Sequence, residues 1–136
     1  MKYVLLLALL AFAGCAKNSH HYTIKEVEAA LRSGKIDQGF AAHHPGGPPP
    51  LIRAISVPGL PLQLFALEDR GFTHTVLADG WDLVLLYGGP SGSGPSDYHL
   101  EKQNSSWVLT FKFKIFQANG EQVMPGRYVL TNPPEG

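Results

Sequence analysis

Hydrophobic positions along this chain follow three successive patterns. Val4 to Ala13 carries no polar side chain. After a short polar stretch the pattern becomes helical, with Ile24, Val27, Ala30 and Leu31 on one face, as residues three and four apart must lie. Thr23 stands as N-cap, Glu26 completes a capping box and Tyr22 is placed to staple onto Val27. Ser33-Gly34 closes the pattern with a residue suited to a left-handed cap. The spacing predicts a helix over roughly 24 to 33, too short to be stable unless it docks.

From Leu51 the period changes to two, in short apolar runs separated by turn residues. Strands are expected at Leu51 to Val57, Leu62 to Leu67, Phe72 to Ala78, Asp82 to Tyr87, Tyr98 to Lys102, Trp107 to Gln117 and Arg127 to Asn132. In the longest, Trp107, Leu109, Phe111, Phe113 and Ile115 alternate with Val108, Thr110, Lys112, Lys114 and Phe116, so the odd set should face the core. Asn119-Gly120 suits a type I′ turn and predicts that Glu121 to Met124 returns beside it. Ala78-Asp79-Gly80-Trp81 suggests a second hairpin. Leu83-Val84-Leu85-Leu86, apolar on both faces, reads as a central strand. The fold class is therefore mainly β (α+β): one short N-terminal helix, then a six- or seven-stranded antiparallel sandwich or bent sheet.

The opening apolar run is far shorter than the roughly 20 residues that span a bilayer. With Lys2 ahead of it, it has the build of a secretory signal. Phe12-Ala13-Gly14-Cys15 resembles the lipobox of bacterial lipoproteins. That resemblance implies cleavage before Cys15, lipidation of its thiol and a membrane-anchored mature chain. Ala16 and Lys17 lack the aspartate of the inner-membrane retention rule, which favours the outer membrane, facing the periplasm. The organisation expected is a signal peptide over 1–14, a lipidated tether over 15–21, the helical segment over 22–37, a Pro/Gly-rich linker over 38–50 and a β-sandwich-like domain over 51–136.

Cys15 is the only cysteine, so the exported domain folds without an internal disulfide despite oxidising surroundings. Eleven basic residues balance eleven acidic ones, and no basic excess points to nucleic acid. Loss of residues 1–14 leaves 122 of the 136 residues, enough for one ordinary domain.

The most conspicuous candidate for binding is Gly88, Gly89, Pro90, Ser91, Gly92, Ser93 and Gly94, leading on to Ser96. It has no lysine and leads into a strand, so it is not a phosphate-binding loop. Neither serine has glycine two residues away on both sides, so it is not a nucleophile elbow. It reads as a surface loop, and loops on rigid sheets are where partners are commonly bound. The histidines are His20-His21, His43-His44, His74 and His99. His43 and His44 are weak metal candidates, since adjacent side chains on extended backbone point apart; no metal or other cofactor is expected. Glu68-Asp69, Asp79 and Asp82 read as turn residues, and Trp81, Trp107, Tyr87 and Tyr98 as core aromatics before a stacking platform.

Two further resemblances concern the β region. Leu83 to Lys114 runs through an apolar strand, Tyr87-Gly88-Gly89-Pro90-Ser91, Tyr98-His99-Leu100-Glu101 and a long alternating strand. It is similar to the C-terminal domain of PrcB-type bacterial protease-complex proteins, with Asp97-Tyr98 where a Gly-Tyr step is usual. Asn119-Gly120 and Pro125-Gly126-Arg127-Tyr128-Val129-Leu130 are similar to the final hairpin of bacterial immunoglobulin-like modules, which implies a sandwich. The function expected is a non-enzymatic, lipid-anchored β-domain that binds an envelope protein or peptide through the 88–96 loop and the His43 to Pro50 linker. Behind it stand a periplasmic metal-binding lipoprotein using His43/His44 and, third, an envelope hydrolase.

Overall fold

The computed structural model describes residues 20–36, 50–69, 71–90 and 92–132. Helix α1 (Ile24–Arg32) begins as the capping box requires: Glu26 N–H donates to Thr23 Oγ1 at 3.2 Å, and Thr23 N–H donates to Glu26 Oε1 at 3.1 Å. It ends at Ser33, followed by Gly34 at φ 78°. Val27, Ala30 and Leu31 are its buried stripe.

Seven antiparallel strands follow: β1 (Leu51–Ile55), β2 (Gln63–Asp69), β3 (Phe72–Asp79), β4 (Asp82–Pro90), β5 (Ser96–Gln103), β6 (Ser106–Gln117) and β7 (Gly120–Val129). They form two sheets, of order β1-β2-β3-β4 and β5-β6-β7. The chain is thus mainly β with one short helix.

The four-stranded sheet is covered on both faces. Phe65, Leu67, Val76 and Ala78 join Val27, Leu31 and Ile36 in one apolar cluster. The alternate residues Leu64 and Leu77 join Leu109 and Phe111 of the other sheet, and Leu130 just beyond it, in a second cluster. Period-two alternation is present, but each phase meets its own partner, so the sequence looks continuously apolar.

That double coverage corrects the reading of Leu83–Leu86 as a central strand: β4 is the edge, and β2 and β3 are central. Leu83 and Leu85 are apolar because they pack toward the helix, and Leu86 because it packs toward the second sheet. A register shift between Thr75 and Val76 leaves Leu86 unpaired. Such a bulge reverses the phase of the strand beyond it. Tyr87 consequently pairs with Thr75 and turns to the second sheet.

Two other expectations change. The return at Glu121–Met124 and the first part of the strand expected at Arg127–Asn132 are one continuous strand, β7, which ends at Val129, so that Leu130 to Asn132 lie beyond it. Pro125 and Gly126 do not interrupt it because β7 is an edge, where a missing donor is tolerated. The β6–β7 hairpin forms, but not through a type I′ turn: Ala118-Asn119 lie between paired Gln117 and Gly120, and only Gly120 takes positive φ, 118°. On β6 the odd residues Leu109 and Phe111 are buried as anticipated, yet Val108 on the opposite face is equally buried, between Glu101 and Val129.

Candidate functional site

Gly88, Gly89 and Pro90 belong to β4, and Ser96 already starts β5, so the glycine-rich loop is shorter than expected. Gly88 lies opposite His74, whose ring occupies the space a β-carbon would need. Ser93 is fully buried. Its hydroxyl donates to the Pro90 carbonyl and accepts from Tyr87 Oη at 3.1 Å, and its carbonyl accepts from Lys114 N–H at 3.3 Å. Tyr87 Oη also reaches the Lys114 carbonyl at 3.1 Å, and its ring lies 4.9 Å from that of Phe113. Ser93 therefore ties the two sheets together. Gly92 beside it is exposed and Gly94 half-buried, and Ser91 lies outside the described residues.

Asp79 is more than a turn residue. It is 1% exposed, and its carboxylate accepts four hydrogen bonds: from Tyr128 Oη (2.8 Å), Thr131 N–H (2.8 Å), Thr131 Oγ1 (2.5 Å) and Asn132 N–H (2.8 Å). Burial by itself would raise the pKa of this carboxyl, but the bonds from Thr131, Tyr128 and Asn132 outweigh it and hold the group below its ordinary value. The end of the β7 segment is thereby fastened to the β3–β4 turn.

Histidine chemistry is also used structurally. His20 stacks on Trp81 at a centroid distance of 4.0 Å and bonds Glu26 Oε2 at 2.6 Å. That bond, then the one from Thr23 N–H, lowers the Glu26 pKa. His20 and His21, expected in the tether, thus belong to the folded part, His21 Nε2 lying 3.4 Å from Gln63 Nε2. Cys15, His43 and His44 lie outside the described residues, as do the segment expected to be a signal peptide and all but Pro50 of the expected 38–50 linker. Among the described residues no group of three or more His, Cys, Asp or Glu is arranged to hold a metal, and no helix is long and apolar enough to cross a membrane.

The four aromatics do not converge. Trp107 and Tyr98 pack against the second cluster, Tyr87 meets Phe113, and Trp81 is 60% exposed. Tyr98 Oη is buried without a hydrogen-bond partner, and burial pushes its pKa up to about 12.

Comparison with protein-family models, curated proteins and solved structures finds no match.

An unsatisfied surface lies at the end of the β6–β7 hairpin. β5 registers with β6 only as far as Lys112, whereas β7 continues to Gln117. Beyond Lys112 both faces of the hairpin carry large apolar side chains. Phe113, Ile115 and Met124 share one face; Phe116 and Val123 share the other, 51% and 57% exposed. Lys114 and Glu121 flank the exposed pair, 3.7 Å apart. The outer edge of β7 has no strand beside it among the described residues. The signal in the sequence was the loss of polar alternation at Phe113-Lys114-Ile115-Phe116, which a single exposed face does not explain.

Proposed function

We propose that this chain is a lipid-anchored envelope protein, attached through Cys15 and facing the periplasm, whose β-domain binds another envelope protein or an extended peptide and performs no catalysis. The observation that supports binding is the β6–β7 hairpin end, where Phe116 and Val123 stand exposed on a strand pair with an open outer edge. An extended segment adding to that edge would satisfy the backbone groups of β7 and lie beside Val123, with Phe116 one strand further in on the same face. The two sheets are read as a sandwich that holds this edge rigid. The glycine-rich segment is a lesser contact, limited to the surface around Gly92 and Gly94.

The membrane address rests on the lipobox at Phe12–Cys15. Diacylglycerol on the cysteine together with an amide-linked chain supplies the two lipid signals that stable anchoring needs. Mass spectrometry of the mature N-terminus should find lipidated Cys15, and Cys15→Ser should release the chain from membranes. For binding, a photoactivatable residue at position 123 should give a discrete adduct in living cells, absent when placed at Lys102 on β5. Val123→Lys with Phe116→Lys should abolish capture of the same partner. No adduct at 123, or an adduct insensitive to the double substitution, would remove the hairpin from the proposal.

A further inference from the structure

The first described residues, His20 to Tyr22, lie at the end of the four-stranded sheet where Trp81 sits. His20 stacks on the indole with rings 12° apart, and Tyr22 Oη donates to the Trp81 carbonyl at 2.5 Å. Tyr22 N–H donates to Gln63 Oε1 at 2.6 Å, and its carbonyl accepts from Gln63 Nε2 at 3.0 Å, fixing the same segment to the start of β2. Trp81 nevertheless remains 60% exposed, and Ile24, at the adjoining start of α1, is 39% exposed. A large amphipathic ring left mostly exposed, with a second exposed apolar side chain two residues after the Tyr22 that binds it, is the composition of a membrane-interface anchor.

Chain length limits how far this end can lie from a lipid on Cys15. His20 follows Cys15 by five residues, which span at most about 17 Å when fully extended. A lipid on Cys15 would therefore hold the ring stacked on Trp81 within about 17 Å of the acyl boundary, a distance comparable with a headgroup layer some 5–8 Å thick plus its adjoining water. We propose that the β3–β4 turn, with Trp81 foremost, rests in the headgroup layer of the membrane that holds the anchor. This inference depends on lipidation of Cys15 and adds an orientation to it.

The orientation bears on the hairpin. Asp79 binds Thr131 and Asn132, so the last residues of the β7 segment lie at the Trp81 end. β7 runs back from there to Gly120, about 30 Å at ~3.3 Å per residue. The Trp81 end faces lipid, and the β6–β7 hairpin carries Phe116 on β6 and Val123 on β7 away from it.

The test uses the full-length lipoprotein, purified from membranes and reconstituted into phosphatidylethanolamine/phosphatidylglycerol vesicles containing phospholipid brominated high on the acyl chains. Trp81 and Trp107 are the only tryptophans, so Trp107→Phe isolates the emission of Trp81 and Trp81→Phe isolates that of Trp107. Bromolipid should reduce Trp81 emission about two-fold, as for an indole in the interface, and leave Trp107 unchanged. In the unsubstituted protein the quenched fraction should disappear on Trp81→Phe, a comparison that does not require the Trp107 variant to fold. Unquenched Trp81 on a chain with lipidated Cys15, or equal quenching of both residues, would overturn the orientation and leave the anchor standing. Absence of lipid on Cys15 would overturn both.

Discussion

Replacing Asp79 with asparagine probes the joint between the two sheets. The carboxylate accepts four hydrogen bonds from a segment 49 to 53 residues away in sequence. Bonds to a charged acceptor contribute about 1.5–3 kcal/mol each when taken singly, but four on one group are not additive. Breaking a buried charged constellation by altering one member typically costs about 3–5 kcal/mol. The substituted amide would keep one accepting oxygen and turn an NH2 group toward donors that already need an acceptor. We therefore expect a loss of about 3 kcal/mol at pH 7, a large part of the ~5–15 kcal/mol that stabilises a domain. At about 4 °C per kcal/mol for this size, Tm should fall by roughly 12 °C. Urea unfolding of the chain from residue 17, followed by circular dichroism, measures the loss directly.

The pH dependence is the sharper part of that prediction. Folding lowers the Asp79 pKa, so its contribution is whole above the unfolded value of about 3.9. It fades as the pH falls through the lower, folded value, because protonation removes the acceptor in the native state. The gap between wild type and Asp79→Asn should accordingly be widest near neutrality and narrow in acid. A gap under about 1 kcal/mol at pH 7, or one that stays constant into acid, would refute the assignment of this carboxylate as the clasp.

Three other substitutions have defined outcomes. Gly126→Ala would place a β-carbon 2.1 Å from Phe111 Cε2; thermal unfolding should show a loss of about 1–3 kcal/mol, partly recovered by adding Phe111→Leu, whereas additive losses would contradict the contact. Tyr98→Phe removes a buried hydroxyl without a hydrogen-bond partner, so the unfolding free energy from urea titration should stay unchanged or rise by up to ~1 kcal/mol; a clear loss would mean that the hydroxyl is satisfied. Thr23→Ala removes the N-cap acceptor of α1 and should lower stability by about 1 kcal/mol, with hydrogen exchange accelerating first at Glu26; unchanged exchange there would exclude the cap.

Much of the fold was legible because it depends on near neighbours. The capping box joins residues three apart, the stripe of α1 repeats every three or four, and the β6–β7 hairpin closes on itself. The candidate site was half legible. Phe116 and Val123 lay in predicted strand segments, but that β5 stops short and leaves them exposed is a matter of register between β5 and β6. The glycine-rich segment attracted notice by composition, and only the structure shows Ser93 turned inward against Tyr87 and Lys114.

The sequence by itself determined the helix and its cap, the β-rich class and the existence of most strands, since periodicity and turn residues act locally. Tertiary structure decided which strands are central, because the apolar run 83–86 reflects two covers rather than a central place. It also decided where Tyr87 points, because one unpaired residue reverses a strand's phase, and it decided the partners of Asp79 and His20. Those partners lie tens of residues away, at Thr131 and Trp81. No local pattern encodes a meeting of that kind, for it exists only once the two sheets and the helix have packed.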